Sequence, residues 1–176
     1  GDLVYAGGYF DSVGVRKGSL AAFNLTTGAL ESWNPDVSKR VYCIAKSGST
    51  IFVGGSFNMV GGQSRSKIAA IDSATGLATS WNPQANRAVH ALSIEGSQIY
   101  VGGEFTSIGG QNRLRLVSID INSGMVSPWS PSPDNWVNSI SNYHGKVFVG
   151  GGFYLVDAVT RHNIAALNAI TGKPTN

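Results

Sequence analysis

Cysteine is nearly absent from this chain of 176 residues: Cys43 stands alone, so no internal disulfide and no cysteine-based zinc cluster can form. Charge is also scarce. Lys and Arg number 13 and Asp and Glu 10, which is 13% of the chain and about half the usual share. The formal net charge is +3, yet no cluster of about five cations occurs, and the chain lacks the electrostatic footprint of a nucleic-acid binder. No apolar run reaches the roughly 18 residues that a membrane-spanning helix needs. Helical periodicity is missing as well, because glycine interrupts every window of apolar residues at helical spacing. The chain opens Gly1-Asp2 with no basic-then-apolar leader, and any targeting segment is expected to have been removed or left out.

Glycine is what the chain has in excess. It occurs 23 times, about twice ordinary usage, while proline occurs only 6 times and 42% of residues are hydrophobic, which excludes a collagen-like or disordered chain. A chain of this length is one domain's worth and can bury a substantial core. Low Lys and Glu content with abundant Ser, Asn, Thr, Gly and Trp leads us to expect an extracellular or cell-surface protein. Asn24-Leu25-Thr26 is one acceptor pattern for glycosylation there.

The glycines fall on a repeat. An aromatic-flanked pair recurs as Tyr5-Ala6-Gly7-Gly8, Phe52-Val53-Gly54-Gly55, Tyr100-Val101-Gly102-Gly103 and Phe148-Val149-Gly150-Gly151, at offsets of 47, 48 and 48 residues. Phe10, Phe57, Phe105 and Phe153 follow. A second apolar-glycine step comes next at Val13-Gly14, Val60-Gly61-Gly62 and Ile108-Gly109-Gly110, replaced by Val156-Asp157 in the last copy. An apolar strand then ends at Asn24, Asp72, Asp120 or Asn168, and a glycine follows four residues later in each copy. Such steps suit tight turns, since Asx side chains bond their own backbone and glycine accepts positive φ. Trp33-Asn34-Pro35, Trp81-Asn82-Pro83 and Trp129-Ser130-Pro131 close three copies.

A period of this size built of short strands predicts an all-β fold of propeller blades. The repeats run approximately 1–40, 41–88, 89–136 and 137–176, each a four-stranded antiparallel meander, the last one incomplete. The inner strands are expected at Val41–Ala45, Val89–Ser93 and Val137–Ser141. The fourth strand of each blade runs from the turn glycine to the tryptophan. Val-Gly-Gly-x-Phe, Gly-Gly-Gln-x-Arg, Ile-Ala-Ala-Ile-Asp, Thr-Gly and Trp-Asn-Pro together resemble the delta-60-type repeat propellers over essentially the whole chain, best at 51–83. Kelch repeats are the second resemblance. The first implies a mostly secreted or surface-attached microbial protein, and neither implies one reaction. Incomplete blades lead to two expectations: an excerpt from a longer propeller, or several chains that complete a ring or stack edge to edge.

No pattern for catalysis emerges. His90, His144 and His162 occupy three different phases of the repeat and form no metal pair, and no nucleophile elbow or phosphate loop is present. We expect no cofactor and no bound metal. Cys43 shares its phase with Ala91 and Ser139, the position of a buried inert thiol. Asp72 and Asp120 read as turn residues rather than calcium ligands, because Asn24 and Asn168 stand at the same phase. Trp33, Trp81 and Trp129 read as inter-blade packing. The periodic polar feature is a set of cations, Lys17, Arg65, Arg113 and Arg161, spaced 48 residues apart between the second and third strands. That connection shares a face with the variable inter-blade links, which add Lys39, Arg87 and Trp136. Alternatively each arginine bonds loop carbonyls. The expected function is therefore a non-enzymatic binding module for a protein or an acidic glycan on this face. The alternatives are a structural protein assembling with further copies of itself, and an enzyme with a site scattered along the sequence.

Overall fold

The computed structural model describes residues 2–10 and 18–175, and strands are the only regular elements among them. In blade 1, β1 (Leu3–Gly7) pairs antiparallel with β2 (Leu20–Asn24). Blade 2 holds β3 (Val41–Ser47), β4 (Thr50–Gly55), the short hairpin β5 (Met59–Val60) and β6 (Gln63–Ser64), and β7 (Ile68–Asp72). Blade 3 repeats this with β8 (Val89–Glu95), β9 (Gln98–Gly103), β10 (Ser107–Ile108), β11 (Gln111–Asn112) and β12 (Leu116–Asp120). Blade 4 has β13 (Val137–Tyr143), β14 (Lys146–Gly151), β15 (Leu155–Val156), β16 (Val159–Thr160) and β17 (Ile164–Asn168). The sheets run β3-β4-β7, β8-β9-β12 and β13-β14-β17, all antiparallel, and the inner strands β3, β8 and β13 of neighbouring blades pack on one another. This is a β-propeller arrangement.

Two details differ from the sequence expectation. The fourth member of each meander is trimmed to one bridge, Phe23 to Leu30, Ile71 to Ala78, Ile119 to Val126 and Leu167 to Pro174. In blade 2 it is flanked by bonds from Asp72 N–H to Leu77 O (2.9 Å) and from Thr79 N–H to Ala70 O (2.8 Å). Few residues separate the turn glycine from Trp81-Asn82-Pro83, and Pro83 has no N–H to extend the ladder. So short an outer edge offers little template for pairing with another chain. The link between second and third strands, expected as a loop, contains a hairpin of its own.

The core lies between blades rather than within them. Leu20, Ala22 and Trp33 of blade 1 pack on Val37, Val41, Ile51, Val53 and Phe57. Phe52, Ile68, Ala70 and Trp81 pack on Val89, Ile99, Val101 and Phe105. Tyr100, Leu116 and Trp129 pack on Val137, Val147, Val149 and Phe153. Each blade thus presents one apolar face forward and another back, which explains why β4 and β9 are buried on both sides. A phenylalanine fully buried at Phe57, Phe105 or Phe153 stabilises each junction by about 1.5–3 kcal/mol.

The glycine pairs make this stacking possible. A Cβ on Gly54 would stand 2.5 Å from Val89 Cγ1, and one on Gly102 would stand 2.7 Å from Val137 Cγ1 of the next blade. The second glycine of each pair, Gly55, Gly103 or Gly151, lies against the carbonyl of Arg40, Ala88 or Trp136, where any side chain would collide with backbone. The tryptophans rivet the stack: the indole Nε1 of Trp81 donates to Asp120 O (3.0 Å) of the following blade, while its ring meets Phe52 edge-on at 5.0 Å. Trp33 and Trp129 repeat both contacts.

Candidate functional site

The hairpins β5–β6, β10–β11 and β15–β16 share one side of the molecule with the inter-blade links, and the two are bonded together. Bridges join Val37 to Val60, Ala85 to Ile108 and Pro133 to Val156. One polar residue in each link braces the start of the hairpin. Ser38 Oγ accepts from Asn58 and Met59 N–H, Asn86 Oδ1 from Thr106 and Ser107 N–H, and Asp134 Oδ1 from Tyr154 and Leu155 N–H. These bonds hold the Asp134 carboxyl below the usual carboxylate range, and the Arg115 charge assists. The face is rigid while its side chains vary from blade to blade, as binding surfaces on scaffolds usually are.

The recurrent cations divide into two groups. Arg65 is 8% exposed and donates to Ser64 O (2.8 Å), Gln63 Oε1 (2.9 Å) and Thr79 O (2.6 Å), clamping its hairpin to the outer edge of the blade. Arg161 makes the equivalent bonds to Thr160 O and Thr175 O, and Arg113 bonds Asn112 O. Lys17 lies outside the described residues. These guanidinium groups are therefore spent largely on loop carbonyls. Lys39 and Arg87, by contrast, stand exposed on the links, and Trp136 is 44% exposed.

The fold brings Arg87 and Trp136 into one cleft of about 370 Å³ between blades 3 and 4, together with Glu104, Arg115 and Asn135. Arg115 donates to Pro133 O (2.9 Å) of the next link, which fixes its head at the cleft. Asn135 Oδ1 accepts from Trp136 N–H (3.0 Å), and the indole lies over Gly152, where a Cβ would meet Cε2 at 2.5 Å. Glu104 is held by His90, Nε2 to Oε1 3.0 Å, and the His90 ring stacks on Tyr42 at 5.0 Å between centroids. Tyr42, His90 and Asn138 are the extra residues of three bulges in β3, β8 and β13, which turn these side chains out of the ladder.

Arg115, Glu104 and Asn135 escape a sequence reading that follows only the strongest repeat. A fainter signal marks the two arginines of the cleft: Lys39 and Arg87 share one phase, and Lys67 and Arg115 share another. Lys39 and Lys67 form the same kind of pair one blade earlier, where burial first and the Lys39 charge second push the Lys67 ammonium below its ordinary pKa. A larger depression of about 470 Å³ around Asn82, Gln84, Gly109 and Gln111 has no charged lining.

The remaining polar candidates are engaged locally. Asp72 Oδ1 accepts from Ala74 N–H, Thr75 N–H and Thr75 Oγ1, and Asp120 repeats the pattern with Asn122 and Ser123. Those bonds, led by Thr75 and Ser123, lower both carboxyl pKa values. Burial pushes the Cys43 thiol up to about 12, so it stays protonated at neutral pH and is a poor nucleophile.

Comparison with known proteins agrees with the architecture. No curated protein sequence matches the chain. Among solved structures, the chain resembles the computationally designed Ika4 protein with a TM-score of 0.55 at 13% identity, over 85% of this chain and 78% of that one. It resembles the designed Ika8 protein with a TM-score of 0.55 at 12% identity, over 89% of this chain and 54% of that one. A chain of the Mitotic Checkpoint Complex gives a TM-score of 0.64 at 17% identity, over 89% of this chain and 43% of that one. The chain thus spans about half the length of the latter two, and at these identities the likeness is one of fold. A family described as outer membrane protein assembly factor BamB matches residues 1–175. The chain belongs to that β-propeller-like repeat family.

Proposed function

We propose that this chain is a non-enzymatic β-propeller module that binds a protein partner through its hairpin–link face and works outside the cytoplasm, at the cell surface. One observation carries the reading. The hairpins and links are bonded into a rigid rim. The exposed charged and aromatic side chains Lys39, Arg87 and Trp136 stand on the most variable part of that rim. The family description, an assembly factor, supports a protein as the partner. The Val-Gly-Gly-x-Phe and Gly-Gly-Gln-x-Arg motifs support the delta-60 type within the propellers, and with it a surface location. A photo-crosslinking residue placed at Lys39 or Asn135, and as a control at Thr75 on an Asx turn, tests the reading in cells. Crosslinks to one protein from the rim alone, reproduced with that protein purified, are expected. Crosslinks only from the Asx turns, or substrate turnover by the purified chain, would overturn it.

A second reading, assembly through blade faces, draws on the exposure of Ile164 at 69% where its counterparts Leu20, Ile68 and Leu116 are fully buried. Sedimentation of the purified chain against its Ile164→Asp variant decides it, with a larger species lost in the variant as the expected outcome.

A further inference from the structure

The cleft between blades 3 and 4 is rich in hydrogen-bond donors without protein acceptors. Arg87 bonds no other group among the described residues, and Arg115 uses one guanidinium nitrogen on Pro133 O. The Asn135 amide nitrogen and the Trp136 indole Nε1 have no partner there either. The other three tryptophans all spend Nε1 on a carbonyl of the neighbouring blade. Glu104, the carboxylate lining the cleft, already faces His90. Neutral sugar hydroxyls need acceptors as well as donors, whereas a carboxylate is acceptor-only and matches the planar fork of a guanidinium.

Arg115 sits at φ +64°, a left-handed conformation shared by Ser19, Lys67 and Asn163 at the same phase of the other blades, so the repeat itself sets the direction in which Arg115 leaves the backbone. Glu104 and Asp134 near Arg115 limit how much added negative charge the cleft takes, which favours a single carboxylate over a dianionic phosphate. Its volume of about 370 Å³ takes one or two side chains, not a folded element.

We propose that this cleft binds an acidic peptide segment, seating the carboxylate of an Asp or Glu on Arg87 and Arg115 and the adjacent apolar side chain on the exposed face of Trp136. The proposal rests on the reading that the hairpin–link face binds a protein, and it names the chemistry of the segment recognised.

The test is a titration of ¹⁵N-labelled protein with acetyl-Ser-Phe-Asp-Ser-amide, its Asn analogue and a digalacturonate, following indole N–H resonances. Trp136→Phe identifies the relevant signal. The acidic peptide is expected to shift that resonance saturably, and the Asn analogue and the digalacturonate are not. Arg87→Ala is expected to weaken binding about tenfold or more, and Arg87→Lys to restore part of the loss. Because Arg115→Ala also releases Pro133 O, its melting temperature is measured alongside; Arg87 has no such internal bond. Equal binding of the Asn analogue, tighter binding of the digalacturonate, an unmoved indole signal or unchanged affinity in Arg87→Ala would each overturn the proposal. Should rim crosslinks persist when Arg87 and Arg115 are replaced, this site fails while the wider reading stands; should they never form, the wider reading fails first.

Discussion

Ile68 and Ile164 are the same residue at the same phase of the repeat, each opening the third strand of its blade. Ile68 is fully buried between blades 2 and 3, whereas Ile164 is 69% exposed on the far face of blade 4. Phe52 and Phe148 differ in the same sense, as do Ala70 and Ala166. Within one sheet the residues are chemically equivalent, so the difference belongs to the junction and not to the blade. A blade makes its strand-ladder hydrogen bonds alone and its hydrophobic core in company, which is the energetics of a repeat array.

The largest effect should come from breaking a junction directly. Ile68→Ala is expected to cost about 2–5 kcal/mol, as the lost transfer energy and the cavity add. Ile164→Ala should stay within about 0.5 kcal/mol, as for other exposed sites. Urea unfolding of the two variants side by side measures the contrast, and similar losses would mean that blade 4 is covered in solution. Next in size is Trp81→Phe, which removes the indole bond to Asp120 O and leaves a carbonyl short of its donor, at about 1–3 kcal/mol. Trp136→Phe, with no such bond, should leave the midpoint unchanged. The arginine pair spans the same range and a smaller one. Arg65→Ala leaves three acceptors, Ser64 O, Gln63 Oε1 and Thr79 O, without their donor near a buried site and should cost about 1–3 kcal/mol, while Arg113→Ala, with one bond to Asn112 O, should cost under about 1 kcal/mol. Thermal melts that ranked Arg113 above Arg65 would refute the clamp.

Much of this comparison is legible in the sequence, because a repeat is a set of matched substitutions. The offsets at Gly54, Gly102 and Gly150 identify blades, since only a glycine tolerates Val89 or Val137 at such close approach. Trp33, Trp81 and Trp129 announce inter-blade contacts for the same reason. The hairpin inside each blade is less visible: β5 and β6 are two residues each, too short to show alternation. The cleft is harder still. Arg65 advertises itself by strict recurrence, yet recurrence is the mark of a structural duty repeated in every blade. Arg115 shares its basic character with Lys67 alone, Asn135 and Glu104 are local departures from the repeat, and the three meet because a link of one blade crosses beside the third strand of the blade before it.

The smallest expected effect separates two turns that the repeat treats as equal. Asp72 and Asp120 accept the same two backbone bonds that Asn24 and Asn168 accept, add a hydroxyl bond from Thr75 or Ser123, and alone titrate. Their folded pKa values lie below the unfolded value of about 3.9, so folding favours the charged form. The contribution is complete above that unfolded value and disappears as pH falls through the lowered folded value. Asp72→Asn with Asp120→Asn keeps the Oδ1 acceptor while removing the titration. The double variant should therefore be less stable than the parent at neutral pH by that small contribution, and the two should converge as pH falls, the variant losing stability less steeply between pH about 4 and the acid limit. Urea midpoints taken across that window decide the matter. Parallel acid profiles for parent and variant would assign the acid sensitivity to other carboxylates, with Asp134, whose Oδ1 braces Tyr154 and Leu155 N–H on the rim, as the next to replace.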